Sequence, residues 1–142
     1  ILVIPIFFLG NPWVHISGFF LMHFIAGFFL STIFLCAHIV DQTDFPEPDN
    51  IGNIKKNWYV HQLETTANFS NSKSFFSWFI GGLNYQIEHH LFPSICHVHY
   101  HDISKIVKKT AEEYNVPYHA NHTFISALKH HYKHLKLMGK GS

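Results

Sequence analysis

The sequence predicts an all-α integral membrane protein. Residues 1–40 form a transmembrane helical hairpin, and residues 41–142 a cytoplasmic helical cap that includes helices lying at the membrane surface. Three observations predict this. All ten Lys and Arg and all nine Asp and Glu follow Val40, so the first forty residues carry no formal side-chain charge. The uncharged run from Trp13 to about Val40 holds roughly 28 residues, which at 1.5 Å per residue reach about 42 Å, more than the roughly 30 Å hydrocarbon core. After Asp41 the polar sequence is punctuated by short apolar faces at helical spacing, such as Ile103, Ile106, Val107 and Ala111.

Ile1 to Leu9 reads as the end of one hydrophobic helix. Gly10-Asn11-Pro12 is a turn from which a second helix starts near Trp13, making a tight hairpin. Lys55, Lys56 and every later Lys follow the span, so the positive-inside tendency puts the chain after Val40 in the cytoplasm, with His38 at the cytoplasmic helix end. Asp41 to Asn53, with Pro46, Pro48 and Gly52, is an exposed loop. Trp58–Phe69 and Phe75–Tyr85 mix aromatic, aliphatic and polar residues, are too short or too polar to span, and suit surface helices. Asp102 caps a helix that ends before Val116-Pro117, and Thr123 starts a last one through Phe124, Leu128 and Leu135. No strand of more than a few residues is expected.

The net charge of +1, of mixed sign, gives no basic stripe, and the 17% aromatic share is mostly Phe in apolar surroundings. Nucleic-acid binding is therefore excluded from the reading. Cys36 and Cys96 do not make a disulfide framework and are expected to be reduced. The opening at Ile1 has no Met, basic stretch or cleavage pattern, so the chain reads as a piece of a longer protein rather than as one led by a signal peptide.

The chemistry lies in the histidines, of which there are fourteen. His89 and His90 are adjacent, and Gln86 precedes them by one helical turn. Imidazole offers a neutral nitrogen lone pair near physiological pH, and neighbouring residues on a helix diverge by about 100°, so the two rings could reach two ions or opposite sides of one. Taken alone, His38 is an interfacial histidine satisfied by a carbonyl. His15 and His23, inside the span, are packing or channel residues. Gln86 is a weak donor suited to hold a metal-bound water or to orient a ligand, and Asn68 plays a similar part or caps a helix. His61 lies near in sequence. His97, His99 and His101 alternate along the stretch after Pro93 and either support the site or form a surface turn. His130 and His134 have zinc-pair spacing but no neighbouring acid, and are read as solvated.

The run Asn84-Tyr85-Gln86-Ile87-Glu88-His89-His90-Leu91-Phe92-Pro93 resembles the third histidine box of membrane fatty acid desaturases. Glutamine at its head is the form of the front-end class, which inserts a double bond between an existing one and the carboxyl end. The resemblance extends to His38-Ile39-Val40-Asp41 with Phe45-Pro46, to Gln62, Thr65, Thr66 and Asn68, and downstream through His99-Tyr100 into the helix that follows. It implies a di-iron oxidoreductase with His38, His89 and His90 as ligands to two iron ions. Gln86 and Asn68 would act through water or from behind the ligands, with His61, His97, His99 and His101 as lesser candidates.

The partners so implied are an acyl-CoA or acyl-lipid substrate reaching the irons through an apolar tunnel, dioxygen, the lipid bilayer, and a small cytochrome or ferredoxin as electron donor. The short tail without a retention signal resembles bacterial members, which points to a bacterial inner membrane. The two earlier boxes of that family, His-x-x-x-His and His-x-x-His-His, do not precede His38 in these residues, so the piece alone is expected to be inactive. Two alternatives share the irons, an acyl hydroxylase and a sphingolipid desaturase. A third is a non-catalytic membrane module that binds zinc or haem.

Overall fold

The structure is a computed structural model that describes residues 10–54, 56–70 and 74–141. The first limb of the expected hairpin, Ile1 to Leu9, lies outside the described residues. Contacts divide the chain into two units, residues 1–32 and 33–142.

The first unit consists of the forward part of α1 (Pro12–His38), which starts with Pro at its first position and with Asn11 Oδ1 accepting from Trp13 N at 3.0 Å. Apolar side chains cover it all round, with Phe20, Phe24 and Phe28 exposed. It is the one helix among the described residues long and apolar enough to cross a membrane. His23 Nδ1 meets its own helix at the Phe19 carbonyl, 2.9 Å away.

The second unit begins with the last turn of α1. Where that helix ends, the Thr43 hydroxyl lies 3.1 and 3.0 Å from the carbonyls of His38 and Val40, which have no helical partner of their own. Then follow α2 (Trp58–Thr65), β1 (Ala67–Phe69), α3 (Phe75–Phe79), α4 (Gln86–Leu91), a 3₁₀ turn (His97–His99), α5 (Tyr100–Glu113), β2 (His119–Asn121) and α6 (Phe124–Met138). Local capping sets several starts: Asn57, Ser74 and Thr123 accept from the backbone N–H groups of Tyr59, Ser77 and Ser126. The helix expected at Thr123 is therefore present, with the capping residue named.

The fold is mostly helical, and its strands among the described residues are two of three residues each, Ala67–Phe69 pairing in parallel with His119–Asn121, Asn68 opposite Ala120. Three expectations need correction. The helix expected over Trp58–Phe69 stops at Thr65, where Thr66 turns extended. The helix expected over Phe75–Tyr85 stops at Phe79, because Gly81 and Gly82 take positive φ values of 62° and 72°. The helix expected to be capped by Asp102 begins at Tyr100, continuing the 3₁₀ turn, and Asp102 sits in its first turn.

Two apolar clusters hold the unit together. Ile33, Cys36 and Ala37 of α1 pack with Phe69, Ile80 and Ala127, and Leu63, Ile87 and Val107 form the second. Tyr85 is buried as well. Gly82 is needed where the α3–α4 turn crosses the 3₁₀ turn, since an added Cβ would fall 2.7 Å from the Cβ of His97. Gly82→Ala is expected to destabilise the protein by about 3 kcal/mol, and Gly81→Ala, with open space around it, by about 1 kcal/mol. Melting temperatures of the two variants check this order.

Candidate metal centre

α4 carries the core of the candidate site, and it is too short to hold itself. Its position is set from β1. Asn68 Oδ1 accepts from Ile87 N at 2.9 Å, capping the first turn of α4 from another element, and Asn68 Nδ2 donates to Glu88 Oε2 at 2.7 Å. Tyr118, just before β2, donates its hydroxyl to Glu88 Oε1 at 2.9 Å and accepts from Asn68 Nδ2 at 2.8 Å. Asn68 and Glu88 are wholly buried. Burial pushes the Glu88 carboxyl up, while the donors Asn68 and Tyr118 pull it down.

On the other side of α4 the histidines meet. The His38 and His90 rings are 5.1 Å apart between centroids, and those of His89 and His90 are 5.8 Å apart. Burial, then the neighbouring His38 and His89, holds the His90 imidazole down at about 4, so it is a neutral donor at physiological pH. Gln86 is wholly buried within reach of His38, but neither its amide nitrogen nor its amide oxygen makes a hydrogen bond of good geometry, to His38 or to any other group. A buried amide left so costs free energy unless something else meets it. The Tyr100 hydroxyl stands 3.5 Å from His89 Nδ1, a long contact.

His61 proves closer than its sequence position indicated. With His38 and His90 it lines an open cleft of about 470 Å³, and its Nδ1 is buried without a partner. The later histidines sit elsewhere. His101 Nδ1 shares a 2.8 Å hydrogen bond with the Tyr85 hydroxyl, His97 packs against Gly82, and His99 is exposed. The expectation that His130 and His134 are merely solvated is overturned. His130 Nδ1 meets Asp41 Oδ1 at 2.6 Å, and His134 stacks on Phe45 with centroids 5.0 Å apart.

Among the described residues no three or more His, Cys, Asp or Glu side chains gather as a complete metal set. The donors present nevertheless fit an ion as part of a set: neighbouring neutral imidazoles, an unsatisfied buried amide, and no carboxylate among the candidate ligands. Glu88 and Tyr118 are the residues that sequence reasoning missed. An acid inside a histidine box was the visible signal for Glu88, whereas nothing in the sequence ties Tyr118 to a residue fifty positions earlier.

Comparison with known proteins follows the same lines. The sn-1 linoleoyl-lipid 6-desaturase of Synechocystis sp. is 44% identical over 117 residues, covering 82% of this chain and 33% of its own length. The acyl-lipid (8-3)-desaturase of Physcomitrium patens is 47% identical over 131 residues, 89% of this chain and 27% of its own. The sn-1 linoleoyl-lipid 6-desaturase of Arthrospira platensis is 37% identical over 137 residues, 96% of this chain and 37% of its own. The chain thus spans about a third of the length of the curated relatives it matches, and their names agree with the class indicated by Gln86. No solved structure matches. The family model described as fatty acid desaturase matches residues 1–122, the stretch that holds α1, Asn68, the histidine pair and Tyr118, and the chain belongs to the fatty acid desaturase family.

Proposed function

We propose that this chain is the C-terminal part of a front-end fatty acid desaturase, with His38, His89 and His90 as ligands in a di-iron centre that the histidines of the remaining sequence complete. The observation that carries the reading is the meeting of His38, from the end of α1, with His90, from a helix fifty residues later, around a buried amide that makes no hydrogen bond of good geometry. Removing hydrogen from an unactivated methylene is beyond any side chain, and the irons when bound supply the activation of dioxygen that it needs.

The residues of this chain do the rest. The rings of His38, His89 and His90 present nitrogen lone pairs, and Gln86 orients a ligand or a bound water from behind them. Asn68 holds α4 by the Ile87 N–H in its first turn and by Glu88, which fixes the direction of the two histidines that follow. Two hydrogens leave an acyl-lipid or acyl-CoA chain, and two electrons from a small cytochrome or ferredoxin arrive with two protons from solvent, so that dioxygen ends as two water molecules and the chain gains a double bond.

The apolar α1 supports a membrane crossing that ends near Val40; the lysines that follow it are the ground for reading the part from Asp41 onward as cytoplasmic, in a bacterial inner membrane. The aromatic face of α3, where Phe75, Trp78 and Phe79 are 76%, 65% and 70% exposed, supports a seat at the bilayer surface.

Metal and product analysis of the full-length protein tests the reading. Iron near two per chain with a new double bond in the acyl product is the expected result. Zinc, haem or a hydroxylated product would overturn it. The 142-residue piece by itself is expected to retain little iron and to show no turnover, which metal analysis after gel filtration checks.

A further inference from the structure

The family match ends at residue 122, yet α6 beyond it makes a set of polar contacts on the second unit. All of them fall on the few residues that follow His38. His131 Nδ1 reaches the Ile39 carbonyl at 2.6 Å, His130 Nδ1 reaches Asp41 Oδ1 at 2.6 Å, and the Lys133 ammonium pairs with Asp41 Oδ2. Gln42 joins the set, with Nε2 3.3 Å from His130 Nε2 and Oε1 accepting from Asn121 Nδ2 at 3.2 Å. His134 closes the row on Phe45.

The arrangement follows from helix geometry. Positions 130, 131, 133 and 134 lie on about one turn of α6, so they present one patch. Ala127, with Phe124 and Leu128, packs into the apolar cluster of Ile33, Cys36 and Ala37 and so presses the helix against the end of α1. The Ile39 carbonyl lies past the last turn of α1, where no helical N–H meets it, and His131 supplies the missing donor. The Asp41 side chain is only 9% exposed, so its pairing with His130 and Lys133 is screened less than a surface ion pair would be.

We propose that α6 is a strap in which His130, His131 and Lys133 act as positioning residues for His38, through the Ile39 carbonyl and the Asp41 carboxylate. The proposal rests on the reading of His38 as a ligand. A ligand at a helix terminus takes its direction from a backbone that the helix no longer holds, and a metal site tolerates displacement of about 0.5 Å or less. The strap grips that backbone one and three residues beyond the ring.

The test uses the full-length protein, with iron counted per folded, monodisperse molecule, retention measured against a chelator, and the Mössbauer spectrum recorded. His131→Leu removes the donor to Ile39, Asp41→Ala removes the anchor, and His131→Gln keeps an N–H donor. Lys129→Ala, on the exposed side of α6, is the control. His131→Leu and Asp41→Ala are expected to weaken iron retention about tenfold and to change the spectrum, while His131→Gln stays within about twofold of the parent and Lys129→Ala matches it.

If His131→Leu and Asp41→Ala lower the melting temperature but leave retention and spectrum as in the parent, while His38→Ala loses iron, the strap is structural only and the proposal fails with the di-iron reading intact. If His38→Ala itself keeps parental iron and spectrum, the assignment of His38 falls, and the strap proposal with it.

Discussion

Replacing His90 with alanine in the full-length protein is expected to lower desaturation to below about 1% of the parental rate, a hundredfold loss that corresponds to about 2.7 kcal/mol in the barrier. The reason is position. His90 is the ring that faces both His38 and His89, so its loss removes a donor and also separates the two that remain. Its imidazole, held down at about 4, needs no deprotonation to donate at neutral pH, so parental turnover near neutral pH should not depend on titration of His90. The ring is only half-buried, and the change should leave the fold in place. Product analysis by gas chromatography, beside iron content and melting temperature, checks the three statements together. Parental turnover in His90→Ala would remove this residue from the centre.

Asn68→Ala is expected to give a large loss of stability, about 3 kcal/mol, because one substitution leaves two buried groups unpaired. The Ile87 N–H loses its acceptor and Glu88 Oε2 loses its donor, both in a region closed to water. Tyr118→Phe should cost less, about 1–2 kcal/mol, since Asn68 still serves Glu88. Glu88→Gln should lie within about 1 kcal/mol of the parent, because an amide of the same shape still accepts from Asn68 and can donate to Tyr118. Melting temperatures of the three variants should therefore rank with Asn68→Ala lowest and Glu88→Gln highest. A Glu88→Gln protein as unstable as Asn68→Ala would mean that the charge of Glu88, not its hydrogen bonds, holds α4.

The parts of the fold legible in the sequence are those with local causes. The long uncharged helix from Pro12, the Thr123 cap and the stop before Pro117 depend on residues within a turn of the feature they produce. One misread segment failed where a distant partner decided. Ala67–Phe69 would have continued α2 by its composition, but its backbone pairs with His119–Asn121, some fifty residues on. Phe75–Tyr85 failed for a local cause that the pattern hides, two glycines in left-handed conformation. In the site, the box showed that His89 and His90 carry chemistry, but it could not show that His61 shares their cleft, that Asn68 caps α4 across a gap of nineteen residues, or that His130 serves Asp41.

By itself the sequence determined which atoms are available: an apolar helix with no charge to keep it out of lipid, a pair of imidazoles one turn after an amide, and the family to which that combination belongs. Only the tertiary structure decided which of those atoms meet. Side-chain identity follows from one position at a time, whereas the approach of His38 to His90 requires α1, the β1–β2 pair and α4 to be packed at once. Contacts between residues far apart in the chain arise from burying apolar surface and satisfying buried polar groups together, and no short stretch of sequence contains both halves of such a contact.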